Sequence, residues 1–136
     1  MPIDGLIHEE KTVRAFIQKP RQDRAIFLLS NPKRRREFTN QLAHFKWLDE
    51  EFVRTIPPAA GHSVAETVAL LRTMGAGSSV WVIAENRSID ARELDLECAV
   101  RETWGSCHVA ILSCIPGKLA YFRGDEMKSE RLLVHS

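Results

Sequence analysis

The sequence predicts an α/β or α+β fold: a small mixed sheet with a parallel βαβ unit and C-terminal antiparallel strands, covered by helices, with a basic helical segment at the N-terminus. Three observations predict it. Val80-Trp81-Val82-Ile83-Ala84 is a five-residue apolar run bounded by turn residues, as expected of a strand covered on both faces. A second run, Cys107 to Cys114, follows a segment of helical pattern, and a strand, a crossover and a second strand make a right-handed parallel unit. Leu119–Arg123 and Arg131–His135 then follow the turn signal Pro116-Gly117, so they read as an antiparallel return strand and a further strand at an edge.

Between His8 and Gln18, Val13, Phe16 and Ile17 fall at i, i+3, i+4, the spacing of a short amphipathic helix. Arg24–Ser30 suits a strand or a helix. Pro20 near its start and the scarcity of β-branched residues favour helix. Asn31-Pro32 reads as an N-cap followed by N1, opening a helix to about Phe45 with Phe38, Leu42 and Phe45 as its apolar stripe. Leu48–Ile56 reads as a turn and a possible short strand, ended by Pro57-Pro58. Ser63 and Glu66 form a capping box, and Gly75 is the natural stop of the helix they open. Asp95 is the N-cap expected for a helix to Trp104. A type II turn at Pro116-Gly117 fits a two-residue hairpin poorly, so a bulge or a wider loop is expected there.

A chain of 136 residues suits one domain, with residues 1–56 as the N-terminal helical segment and 57–136 as the α/β core. No stretch approaches the ~20 apolar residues of a membrane span, and Met1-Pro2-Ile3-Asp4 lacks the basic and apolar regions of a signal peptide. Three cysteines without repeated spacing argue against a disulfide framework, and a cytoplasmic location is expected. The net charge is only +1, yet Lys11 to Lys46 holds ten basic residues against Asp23 and Glu37, a balance of +8. That asymmetry suits a polyanionic partner, or a basic layer docking on acidic residues of the same chain.

Ligands of open α/β sheets sit beyond the carboxyl ends of parallel strands. On the predicted topology that edge carries Glu85, Asn86, Arg87, Arg92 and Ser113 as candidate ligand-binding residues. Cys114 with His62 as base and Glu85 as orienting or acid/base group is the weak candidate for a catalytic thiol. The plainer reading makes Cys114 a small core residue, Glu85 a solvated charge and His62 a loop residue. Asp90, Arg92 and Glu93 are expected in surface ion pairs.

Lys33, Arg34, Arg35 and Arg36 are the candidate nucleic-acid contacts, with a solvated helix surface as the alternative. Consecutive residues on a helix fan out by ~100° each, so the four cannot share one face. Cys107, His108 and Cys114 do not form a metal set, because His108 and Cys114 would lie ~20 Å apart along a strand. The glycines at 75 and 77 follow a helix and precede a strand, the reverse of a phosphate loop.

No family motif stands out. The sequence implies no cofactor or metal and leaves partners and oligomeric state open. The expected function is a non-enzymatic binding or regulatory module for a protein or small ligand. Nucleic-acid binding through the basic helices is the main alternative, and a small thiol/carboxylate enzyme a lesser one.

Overall fold

A computed structural model describes residues 4–56, 63–105, 109–124 and 130–135. Helices α1 (Gly5–Phe16), α2 (Lys19–Ser30) and α3 (Arg35–Thr39) come first, and the strand β1 (Val53–Thr55) follows them. Helix α4 (Val64–Thr73) leads to β2 (Ser79–Ala84) and β3 (Arg92–Asp95). Helix α5 (Leu96–Gly105) leads to β4 (Ala110–Ile115), β5 (Leu119–Arg123) and β6 (Glu130–Val134). The six strands form one sheet in the order β1-β6-β5-β4-β2-β3, and every pairing is antiparallel. No helix among the described residues is long and apolar enough to cross a membrane.

The sheet corrects the expected parallel unit. β2 turns back through residues 85–91 into β3, and β2 then lies between β3 and β4, antiparallel to both. Helix α5 does join two strands that run the same way, but they are β3 and β4, and they are not neighbours. The overlooked element is Arg92-Glu93-Leu94-Asp95. It is an edge strand with charge on both faces, so it carries no apolar alternation to reveal it, and such charges are what keep an open edge from pairing with other chains. β6 is a second correction. It pairs with β5 on one side and β1 on the other, so β1, from the N-terminal segment, forms the edge.

Alternation along the strands divides the core in two. Val80, Val82, Leu112, Tyr121 and Leu132 face α4 and α5, packing with Val68, Leu71, Leu96 and Val100. Ile83, Ile111, Ala120, Phe122 and Leu133 face the N-terminal helices, packing with Val13, Phe16, Leu28 and Phe38. The result is three layers, with an antiparallel sheet between two sets of helices.

Local chemistry accounts for the helix ends. Asp4 caps α1 by accepting from the Leu6 and Ile7 amides, at 3.0 and 3.3 Å. Pro20 sits in the first turn of α2, where a missing N–H costs nothing. Ser63 Oγ accepts from Glu66 N at 3.1 Å, and Asp95 Oδ2 from Cys98 N at 3.2 Å, so both predicted caps are present. The single helix expected from Pro32 to Phe45 is instead a turn, the five-residue α3 and a 3-10 turn at Leu42–His44. This break lets Phe38 meet both Phe45 and Trp47 edge-on, at centroid separations of 5.4 and 5.9 Å. At residues 115–118, Gly117 has φ +74° and Lys118 N bonds Ile115 O. The expected bulge lies just before this turn, between Ser113 and Ile115.

Candidate functional site

The antiparallel sheet separates the residues expected at one edge. Glu85 is exposed at the end of β2, beside Val109, whereas Trp81 pairs with Ser113. Glu85 and Cys114 therefore lie at opposite ends of the strand pair, ~17 Å apart at ~3.3 Å per residue. Cys114 is buried, its Sγ donates to Leu112 O at 3.7 Å, and burial pushes its thiol pKa up to about 12. A nucleophilic thiol needs the opposite shift. His62 lies outside the described residues, as do Cys107 and His108.

Asn86, Arg87 and Arg92 do remain near Glu85, in or beside the β2–β3 turn. Asn86 Oδ1 accepts from Ser88 N and Oγ, and Arg92 donates to Ser88 O, so these two side chains shape the turn. Arg87 is exposed. Ser113 is fully buried under α1, where Thr12 donates to its Oγ at 3.2 Å and His8 Nδ1 lies 2.7 Å away. Burial lowers the His8 pKa, outweighing the opposite pull of Asp4 and Glu93. A neutral imidazole can then accept the Ser113 proton at Nδ1, which gives both hydroxyl protons and Nδ1 a partner. Among the described residues no three His, Cys, Asp or Glu side chains are placed to hold a metal.

The basic tract also divides. Arg35 turns inward, with its side chain only 13% exposed. Its Nε and Nη2 reach Asp90 Oδ2 and Oδ1 at 2.6 and 3.0 Å, Nη2 is 2.6 Å from Glu9 Oε2, and Nη1 donates to Leu29 O. Burial alone would lower the guanidinium pKa, but the hydrogen bonds to Asp90 and Glu9 prevail and raise it. Asp90 is thus part of a largely buried pair rather than a surface one, and its Oδ1 also accepts from Ala84 N. Arg34 holds Glu37 at 2.7 Å, Arg36 reaches the Glu85 carbonyl at 3.4 Å, and Lys33 is exposed. The basic segment does dock on acidic residues of its own chain, through Arg35.

Arg35 and Glu9 line a cleft of about 480 Å³ between the start of α1, the end of α2 and the β2–β3 ribbon. Leu6, Leu29, Pro32 and Trp81 supply its apolar wall. Trp81 is fixed twice. Its Nε1 donates to Glu9 Oε2 at 2.8 Å, and its ring lies so close to Gly5 that any Cβ there would overlap it. A smaller lobe of about 150 Å³ adjoins it through Leu6, Glu9, Leu29 and Ser30, and adds Glu10 and Ile26. Asp4, Glu9, Glu10 and Arg35 are the charged residues that line the two lobes, and the carbonyl end of α2 opens at Ser30.

Sequence reasoning did not single out Gly5, Glu9 or Trp81 for this site. One signal was present. The stripe Val13, Phe16, Ile17 extends back to Thr12 and Glu9, which places a carboxylate on the buried face of α1. A buried carboxylate needs a partner. Which of ten basic residues it finds depends on the α2–α3 turn, and that turn does not show in the periodicity.

The chain matches no family model, and no curated protein or solved structure is significantly similar to it.

Proposed function

We propose that this protein is a binding module whose ligand enters the cleft between α1, α2 and the β2–β3 ribbon. The carrying observation is that the cleft has a preformed lining: Trp81, Glu9 and Arg35 hold one another, and Asp90 braces Arg35, before any ligand arrives. Its volume, about 480 Å³, falls within the range of small-molecule sites. Preorganisation lowers the ordering cost of binding.

The lining indicates the ligand class. Leu6, Leu29, Pro32 and Trp81 suit an apolar body, and Leu6 is 71% exposed at the rim. Glu9 and Asp90 already neutralise Arg35, so Asp4, Glu10 and the carbonyl end of α2 set the balance of the lining. The site therefore favours a small organic amine over an anion. Glu9 and Arg35 spend polar atoms on each other and on fixed neighbours, so they suit orientation better than proton exchange.

Isothermal titration with phenethylamine, its alcohol analogue and its carboxylate analogue tests the reading. The amine should bind several-fold tighter than the carboxylate, and Glu10→Gln should narrow that gap. Equal or tighter binding of the carboxylate, or no binding by any of the three, would refute it.

A further inference from the structure

We infer that the outer surface of α2 and the turn into α3 binds single-stranded nucleic acid, with Phe27 as a base-stacking platform once the guanidiniums of Arg24 and Arg34, which lie over its ring, turn to phosphates. Arg24, Phe27 and Arg34 do not line the cleft, and the inference does not rest on the ligand assigned there.

Phe27 is 44% exposed, one of three large apolar side chains so placed among the described residues. The other two, Leu6 and Ile7, lie on α1. The Arg24 and Arg34 guanidinium carbons lie 5.7 and 5.3 Å from the Phe27 ring centre. Arg21, one turn earlier on α2, lies 5.1 Å from the Trp47 ring centre. Lys19 and Lys33 are exposed on the same segments. The Arg24 and Arg34 guanidiniums lie over the Phe27 ring, and when they swing out to phosphates they uncover it for an unstacked base, so the cluster meets both needs of a single strand.

Glu37 sharpens the assignment. It pairs with Arg34 at 2.7 Å and lies 3.9 Å from Arg24, so its carboxylate occupies the point where a phosphate would bridge the two guanidiniums. All three side chains are 41 to 52% exposed, and exposed ion pairs exchange partners at little cost. The ring selects among polyanions. A duplex keeps its base faces stacked inside, and the acidic side chains of a peptide or an anionic lipid headgroup have no aromatic ring to offer Phe27. Arg35 takes no part because it is held inside the molecule.

The test is fluorescence anisotropy with a labelled 12-nucleotide single-stranded RNA, the same sequence as DNA, its duplex, and anionic phospholipid vesicles, each across a salt series. Single strands should bind best, with log affinity falling linearly with log salt at about 0.7 per phosphate contacted. Phe27→Ala should weaken binding about tenfold, in keeping with the loss of one stacked base. Glu37→Gln should tighten it, since the competing carboxylate is gone, and Lys118→Ala, outside this surface, should leave it unchanged. Circular dichroism of the Phe27→Ala protein keeps the result readable, because an exposed ring can go without unfolding the chain. Duplex or vesicle binding equal to that of the single strand, or binding indifferent to both Phe27→Ala and Glu37→Gln, would overturn the inference.

Discussion

Arg35 and Arg123 are both largely buried and both paired, yet they join different kinds of structure. Arg35 links α3 to α1 through Glu9 and to the β2–β3 turn through Asp90, three stretches far apart in sequence. Arg123 pairs at 2.7 Å with Glu130, its direct neighbour across β5 and β6, and lies over the Trp104 ring. The backbone ladder already fixes where Arg123 meets Glu130. No backbone ladder fixes how the N-terminal helices sit on their face of the sheet. Beside the hydrogen bonds of His8 and Thr12 to Ser113 and of Trp81 to Glu9, that contact is largely apolar, and apolar packing tolerates sliding and rotation. A guanidinium that requires two carboxylates in one geometry does not. The ions on the helical face thus select an arrangement, whereas the pair at the strand ends decorates one already chosen.

The sharpest way to break that contrast is to remove each arginine. Arg35→Met leaves Glu9 and Asp90 buried without their cation and should cost about 3–5 kcal/mol in urea denaturation. Arg123→Met should cost about 1–2 kcal/mol, because Glu130 at a strand end can turn toward water. Equal losses would mean that Arg35 holds no more than a local pair. A triple variant, Arg35→Met with Glu9→Gln and Asp90→Asn, should recover much of the loss, since no buried charge is left unpaired.

Next in size is Gly5→Ala. The added methyl overlaps the Trp81 ring and should cost about 1–3 kcal/mol as α1 lifts or the indole moves. The smaller ring of Trp81→Phe should relieve part of that cost in the double variant, and full additivity of the two changes would show that they do not meet.

The smallest effect is the pH response of the same helical face. Burial holds the folded His8 pKa below its ordinary value of 6.5, so the unfolded chain binds the proton more readily. Stability from neutral His8 is therefore fully present above about pH 6.5 and is lost as pH falls from there through the lowered folded value. Urea midpoints at pH 7.5 and pH 5.5 should differ less in His8→Asn than in the parent, and an unchanged difference would remove His8 from the account.

These contrasts also show what the sequence could and could not disclose. The caps at Ser63 and Asp95, the strands at 80–84 and 119–123, and the helix over Arg24–Ser30 were legible, because each rests on neighbours within a few residues. β3 was not, because Arg92-Glu93-Leu94-Asp95 presents charge on both faces. Missing it reversed the inferred direction of β4 relative to β2. That reversal in turn gathered Glu85 and Cys114 at an edge they do not share. The cleft was hidden for a related reason: Glu9, Trp81 and Asp90 come from three elements, and only the docking of α1 on the sheet brings them together. Cys114 followed the plainer expectation of a small buried residue.

The central claim is that this docked face forms a cleft for an organic amine with Trp81 in its wall. The most direct measurement is a two-dimensional ¹H–¹⁵N spectrum of the indole N–H groups during a phenethylamine titration. The chain has 3 tryptophans, each assignable by its Phe variant. The account predicts that the Trp81 signal moves and saturates while those of Trp47 and Trp104 hold still, and that the carboxylate analogue moves it only at several-fold higher concentration. A Trp81 signal that stays fixed while the amine binds, or three signals indifferent to the amine, would contradict it.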